Sequence, residues 1–193
     1  MIQKHARLFL FLIVMSMVSM VFAQGRPDPA RLIAEQQWVM KKLSFMDGIW
    51  RGTATHNGPS GENSHFIQVE RIGPMLDGAV KVIEGRGYWS DGTLIFNAYA
   101  SLAFDVATKT FQMNSHAQGN VGNFVLTPTA NGFFWEISAA PMVIRYTAKF
   151  MDATWRQFGK RIVAGKEPVC FFEMNLNRIA ETDWPAAGAV SHK

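Results

Sequence analysis

The segment Phe45-Met46-Asp47-Gly48-Ile49-Trp50-Arg51-Gly52 divides the sequence into two parts that differ in hydrophobic periodicity. Before it, apolar residues recur at the three- and four-residue spacing of a helix. After it, they alternate with polar residues in short runs, which is the pattern of β-strands. The fold is therefore decided on the C-terminal side of Gly48, where most of the chain lies.

Ten strands are predicted in this C-terminal part, because ten alternating runs are separated by residues that favour tight turns. The predicted strands are 48–56, 64–72, 79–87, 93–105, 110–118, 120–127, 132–138, 141–151, 154–163 and 169–180. The predicted turns include Asn57-Gly58-Pro59-Ser60-Gly61, Gly73-Pro74, Asp77-Gly78, Asp91-Gly92, Asn131-Gly132 and Ala164-Gly165-Lys166. Connections this short cannot hold the crossover helices that parallel strands need, so the sheet is predicted to be antiparallel.

Several predicted strands have one continuous apolar face. In strand 93–105 this face comprises Leu94, Phe96, Ala98, Ala100, Leu102 and Phe104. In strand 169–180 the apolar phase includes Cys170, which we therefore predict to be a core residue. Such strands can form a sandwich or a barrel, and barrel closure removes exposed edge strands. We predict an all-β fold: a roughly ten-stranded, up-and-down antiparallel barrel preceded by one N-terminal α-helix.

The residues before the barrel predict an export signal and a helix. Residues 1–23 combine a basic start, a 15-residue apolar run from Leu8 to Phe22, and small residues before Gln24. This pattern is typical of a signal peptide, and the apolar run is short for a bilayer-spanning helix, although an uncleaved anchor is the alternative. Residues 24–42 are predicted to be a spacer and a helix, with Asp28 as N-cap and Pro29 at its first position.

The domain layout and location follow from these assignments. Residues 43–180 form the predicted barrel domain, and 181–193 form an irregular tail in which Trp184 is expected to pack back onto the barrel. After cleavage the protein is predicted to be soluble, without a membrane anchor, in the periplasm or the extracellular medium.

Composition excludes several classes of function. Residues 1–23 hold two basic and no acidic residues, so the remaining chain has a net charge of +2, and its basic residues are not clustered as in a nucleic-acid-binding protein. The single cysteine excludes an intramolecular disulfide. The sequence contains no Gly-x-Ser-x-Gly nucleophile elbow, no Cys/His zinc cluster and no complete dinucleotide-binding motif.

Gly48 and Trp50 at the first strand, together with Arg178 in the last, resemble the closure signature of the calycins, the lipocalins and fatty-acid-binding proteins. The resemblance extends over nearly all of 43–180 and is nearest to an uncharacterised group of bacterial calycin-like domains of unknown function. It implies a barrel in which the Trp50 indole lies at the closed end and the Arg178 guanidinium packs across it. Such a contact combines a cation–π interaction with hydrogen bonds to nearby carbonyls.

The nitrobindins, a haem-binding branch of similar barrels, also open with Gly-x-Trp-x-Gly. They hold the haem iron through a histidine near the C-terminal strand. Strand 169–180 contains no histidine, and the only later one is His192. We therefore disfavour haem and predict no cofactor and no metal.

Three polar residues are candidate ligand-binding residues. His56 shares the phase of Trp50, so it is predicted at the barrel mouth, where it can bind an acidic group; alternatively it is a solvated histidine beside a turn. Glu84 and Arg86 share the phase of Val80 and Val82 and would form a paired polar feature inside the barrel. The alternative is that both reach solvent because the alternation ends near Gly85.

Two aromatic residues complete the candidate site. Tyr146 lies on an apolar strand face, where its hydroxyl can orient a ligand. Trp135 is predicted to line a hydrophobic cavity. As an alternative, both are ordinary core residues.

The function favoured by these patterns is the binding of a small, hydrophobic or amphipathic ligand, without assigned catalytic chemistry. Ligand affinity would come from apolar burial, at about 25 cal/mol per Å². One alternative is a lyase, isomerase or hydrolase that uses a His/Glu pair in the same cavity. Another is an interaction protein with a filled core, which uses exposed aromatic residues such as Tyr88 and Trp89.

Overall fold

A computed structural model describes residues 27–58 and 61–184. The predicted signal peptide and His192 lie outside this part of the chain. The chain divides into two compact units, residues 1–32 and 33–193. Of the first unit only the first helical turn is described: the Asp28 carboxylate accepts a hydrogen bond from the Ala30 amide (3.0 Å), as predicted for an N-cap.

The second unit contains a closed barrel of ten antiparallel strands. Helix α1 spans Pro29–Met40, and a 3₁₀ helix follows at Lys41–Met46. The strands are β1 (Gly48–Asn57), β2 (Asn63–Met75), β3 (Val80–Tyr88), β4 (Leu94–Asp105), β5 (Thr110–Ala117), β6 (Asn120–Thr129), β7 (Gly132–Ala139), β8 (Met142–Met151), β9 (Thr154–Val163) and β10 (Val169–Ala180). The predicted fold class is confirmed, and no helix among the described residues has the length and apolar character needed to cross a membrane.

Each strand pairs with its sequence neighbours, and β1 pairs with β10 to close the ring. Because the strands run up and down, the turns after β2, β4, β6 and β8 lie at one end, which we call the closed end. The turns after β1, β3, β5, β7 and β9 lie at the other, the open end. At the closed end Val39, Met40, Leu43 and Met46 join the barrel core.

One predicted turn is wrong, because Gly73-Pro74 lies inside β2. The reversal instead occupies Leu76–Gly78, where Leu76 and Asp77 adopt left-handed backbone angles (φ 51° and 55°). The pairing of β1 with β2 ends at Ile72, so Pro74 has a neighbouring strand on one side only. A proline, which lacks an N–H, is tolerated in such a position.

The inner face is the phase of Trp50, and it differs between the two ends. Towards the closed end the inner side chains are buried: they include Trp50, Leu102, Leu126, Ala148, Met174 and Leu176. Towards the open end many inner side chains are only half-buried, as described below. The barrel interior is therefore filled with side chains at the closed end and accessible to solvent at the open end.

The barrel wall is weakest between β6 and β7. This register contains only three residue pairs, from Thr127↔Phe134 to Thr129↔Gly132, all near the closed end. Every other neighbouring pair in the described barrel has at least seven. Above Thr127 the two strands diverge, and we call this unpaired stretch the β6–β7 seam.

Candidate functional site

The closed end is sealed by the predicted contact between strands β1 and β10. The Arg178 guanidinium lies 4.8 Å from the centre of the Trp50 ring, and it also donates a hydrogen bond to the Phe45 carbonyl (2.9 Å). The Trp50 indole is fully buried and donates to the Met46 carbonyl (2.9 Å). Gly48 adopts φ 142°, and a side chain there would press against Arg178. These contacts hold the 3₁₀ helix against the closed end of the barrel.

Two surface cavities lie at the closed end. One, of about 490 Å³, is lined mainly by apolar residues of the 3₁₀ helix and of strands β4 and β5, among them Leu43, Phe104 and Phe111. The other, of about 470 Å³, lies between α1 and the β2–β3 turn and includes the ion pair of Lys81 with Asp47. Neither contains a predicted ligand-binding residue.

The open end of the barrel has an inner wall rich in aromatic side chains, which we call the aromatic rim. Its members are His56, Phe66, Phe96, Phe124, Trp135, Tyr146, Phe171 and Phe172. All except Phe171 are half-buried, although they share the inner phase of the buried residues below them. Solvent therefore reaches the inner wall from this end.

Three of the five predicted ligand-binding residues meet in the aromatic rim. The rings of Trp135 and Tyr146 are stacked, 4.6 Å apart and 14° from parallel. Phe171 connects them to His56: its ring lies 5.9 Å from Tyr146 and 5.8 Å from His56. Residues from strands β1, β7, β8 and β10 thus form a continuous aromatic surface.

A β-bulge in β10 places Phe171 in this surface. Lys160 pairs with Cys170 and Gly159 pairs with Phe172, so Phe171 is the extra residue between them. The rings of Tyr146 and Phe171, together with the Cβ atom of Phe172, occupy the space that a side chain at Gly159 would fill. Bulges commonly redirect a side chain next to a binding site.

The bulge also overturns the prediction for Cys170. The prediction assumed that β10 alternates regularly, which would place Cys170 on the same face as Phe172. The extra residue breaks that alternation, so Cys170 is exposed rather than part of the core.

Glu84 and Arg86 lie on the outer face of the barrel, away from the aromatic rim. The intervening Gly85 faces inward, against the Glu70 carboxyl. The Glu84 carboxylate accepts hydrogen bonds from the Arg86 guanidinium (2.6 Å and 2.9 Å) and lies 4.0 Å from that of Arg71. The interior placement of these two residues is therefore wrong.

The physical reason is that part of the outer face is also covered. Val82, whose apolar side chain suggested an inward phase, is buried on the outer face and pairs with Gly73. The side chains of Thr182 and Trp184 lie against Gly73, so the tail covers the outside of the barrel here. Trp184 also lies 4.7 Å from the Arg71 guanidinium, which confirms that Trp184 packs back onto the barrel.

The sequence reasoning missed two buried polar residues on the inner face of β2. Gln68 donates a hydrogen bond to the Glu70 carboxyl (2.7 Å), and Glu70 pairs with Trp50 and Gly85. Burial raises the pKa of Glu70 to about 8, a shift that the bond from Gln68 partly opposes. Glu70 is thus protonated at neutral pH. The available signal was a glycine within a strand interior, which often marks close approach of another group.

Arg161 is a third missed residue, and it lies beside the aromatic rim. Its guanidinium is 4.6 Å from the centre of the Phe171 ring. The positive charge of Arg161 also acts on Tyr146, whose pKa is raised by burial and lowered to a smaller extent by this charge. The rim therefore combines an apolar surface with one cation and one phenol.

Side chains close the β6–β7 seam where backbone pairing is lost. The Phe124 and Trp135 rings, one from each strand, are 4.9 Å apart. Trp135 thus belongs both to the aromatic rim and to the weakest part of the wall. Among the described residues, no group of three or more His, Cys, Asp and Glu side chains is arranged to hold a metal ion.

Comparisons with known proteins support the fold alone. No family model matches the chain, and no curated protein matches it by sequence. Among solved structures, the chain is similar to Rv2717c from M. tuberculosis, with a TM-score of 0.55 and 10% sequence identity. The similarity covers 72% of this chain and 96% of Rv2717c. At this identity the match indicates a shared barrel architecture, and the calycin relationship stays a resemblance.

Proposed function

We propose that this protein is an exported small-molecule-binding barrel that takes a small, largely apolar, planar ligand at its open end. The observation that carries the proposal is the aromatic rim. Its rings are in the inner phase yet accessible to solvent, whereas a barrel with a purely structural interior would bury them. Concave, mainly apolar surfaces with a few polar groups are the usual form of small-molecule sites.

The stacked pair formed by Trp135 and Tyr146 supports a planar ligand in particular. Aromatic rings bind planar molecules by stacking and edge contacts, beyond the contribution of buried area. His56, Tyr146 and Arg161 would supply the polar contacts that orient the ligand. The proposal of export rests on residues 1–23, which have the pattern of a signal peptide.

The alternative of a catalytic His/Glu pair gains no support from the positions of His56 and Glu70. His56 lies at the open end. The interior Glu70 pairs with Trp50, which is six residues from His56 on β1. At the rise of a β-strand this separates the two groups by roughly 20 Å, too far for concerted proton transfer. A binding function is therefore the better proposal.

The first test uses 2-naphthamide, an uncharged planar probe, and isothermal titration calorimetry. We expect the protein to bind it with a stoichiometry of one. Trp135→Leu should weaken binding about tenfold, because it removes a stacking partner and apolar contact area. The matched control is Trp38→Leu, since Trp38 is exposed on α1, outside the barrel (66%).

Equal affinities for the two tryptophan variants would overturn the assignment of the site to the aromatic rim. If no member of a panel of planar probes, uncharged and anionic, binds to the protein, the proposed function is overturned. Native mass spectrometry of the protein purified from its own source, followed by extraction of any bound compound, identifies the natural ligand directly.

A further inference from the structure

Arg161 brings a positive charge to the inner wall at the open end. It lies on β9 in the same phase as the inward-facing Trp155 and Gly159, and its strand neighbours are Ile144 and Val169. The Arg161 side chain is half-buried. Its guanidinium lies against Phe171, which the bulge in β10 turns inward.

No carboxylate within the described residues neutralises this charge. Arg161 forms neither an ion pair nor a hydrogen bond with another described side chain, although Arg71, Arg86, Arg145 and Arg178 all approach carboxylates within 4.0 Å. Arg145 is the most direct comparison, because it points outward from the adjacent strand and is bonded to Glu136 at 2.6 Å. Arg51 and Arg156, on the outer face, also lack an ion pair within the described residues, but both are exposed to solvent, whereas Arg161 is half-buried.

A ring contact satisfies the guanidinium only in part. The interaction with the Phe171 ring is electrostatic and uses none of the five N–H donors of arginine. Those donors have the geometry that binds a carboxylate through two parallel hydrogen bonds. A half-buried guanidinium next to apolar rings is therefore a suitable partner for an anionic group of a ligand.

Tyr146 adds a second donor beside Arg161. Its hydroxyl stays protonated at neutral pH because burial raises the pKa of this phenol. Its ring stacks on Trp135, so this residue belongs to the apolar surface and also lies within range of the positive charge of Arg161. The Phe171 ring, which the Arg161 guanidinium contacts, lies 5.9 Å from the Tyr146 ring, so a molecule that packs on Tyr146 lies near this charge.

We propose that the ligand of the aromatic rim is a small aromatic acid, whose anionic group is bound by Arg161 and whose planar body packs on Trp135 and Tyr146. This inference rests on the proposed function. It adds the charge of the ligand and the residue that recognises it.

The test compares 2-naphthoate with 2-naphthamide, which have the same ring system and differ in charge. We expect the protein to bind the naphthoate about tenfold or more tightly than the amide, as for a hydrogen bond to a charged group. Arg161→Gln should remove this preference, so that the two probes bind with similar affinity. Arg156→Gln is the matched control, because Arg156 lies on the opposite, exposed face of β9 and should retain the preference.

Arg161→Lys provides a second variant that preserves the charge. It should lower the preference for naphthoate, since an ammonium group cannot form the two parallel hydrogen bonds. Thermal unfolding monitored by circular dichroism establishes that each variant is folded. If Arg161→Gln does not fold, an undiminished preference in Arg161→Lys overturns the inference.

The outcomes separate the two proposals. If both probes bind wild-type protein equally, or if Arg161→Gln retains the preference, the proposal of an anionic ligand group is wrong. The proposal of an aromatic binding site is then unaffected. If neither probe binds, the binding site and the inference about its ligand are both overturned. A preference for naphthoate that is lost in Arg161→Gln, reduced in Arg161→Lys and kept in Arg156→Gln supports both.

Discussion

At the scale of single residues, Glu70 is the group whose chemistry the barrel alters most. It is buried beside Gln68, and its pKa is about 8 in the folded protein, against 4.5 for an unperturbed glutamate. Below pH 4.5 the folded and unfolded chains are both protonated at this position. Between these values only the folded chain retains the proton, so raising the pH favours unfolding.

Glu70→Gln should therefore flatten the dependence of stability on pH. For wild-type protein we expect the free energy of unfolding to fall by a few kcal/mol from pH 5 to pH 8.5 through this group. The variant should lose less over this range, which urea unfolding at a series of pH values measures. Glu173→Gln is the control, because Glu173 is exposed on the outer face of β10. Parallel curves for Glu70→Gln and wild type would contradict the burial of a protonated acid.

Arg178 is the residue on which closure of the barrel depends most. Arg178→Gln should destabilise the fold by about 2 kcal/mol, because it removes the contact with Trp50 and the bond to the Phe45 carbonyl. Arg51→Gln, an exposed arginine on the outer face of β1, should change the free energy of unfolding by less than about 0.5 kcal/mol. Urea unfolding that gives the same value for both variants would remove the proposed role of Arg178.

At the scale of elements, the β6–β7 seam is the part of the wall that we expect to open first. Above Thr127 one side of β6 and one side of β7 lack a partner strand. Local opening is easiest where backbone hydrogen bonds are few. The seam lies next to Trp135, so its motion would change the size of the aromatic rim.

Hydrogen–deuterium exchange tests this expectation. In β6, from Asn120 to Leu126, amides that face β7 should exchange faster than amides that face β5. In β9, which is paired on both sides, protection should be uniform along the strand. Residue-resolved exchange by NMR distinguishes the two. Uniform protection in β6 would mean that the seam is closed in solution.

At the scale of the whole molecule, the architecture was predictable because it follows from local patterns in the sequence. Alternation and turn residues located all ten strands, in most cases to within one or two residues of their observed ends. The contact of Trp50 with Arg178 was also predictable, since both residues share an apolar phase at the two ends of the barrel sequence.

The site was predictable only in part, because its composition depends on features that alternation does not contain. Regular alternation correctly brought together His56, Trp135 and Tyr146. It failed at Cys170, where a bulge breaks the phase, and at Glu84 and Arg86, where the tail buries a neighbour on the outside. Arg161 could be identified as a candidate binding residue only from the structure. The structure shows that Phe171 is turned inward and that no described carboxylate pairs with Arg161.

The even number of strands also bears on how this molecule can diversify. The barrel begins at Gly48 and finishes at Ala180, and both positions lie at the closed end. Within the described residues, the open end is consequently built from the connections between strands, and none of the described connections takes part in sealing the closed end. Changes in the length or sequence of those hairpins should therefore leave the contacts at the closed end intact. Ligand recognition and folding can thus vary independently of each other.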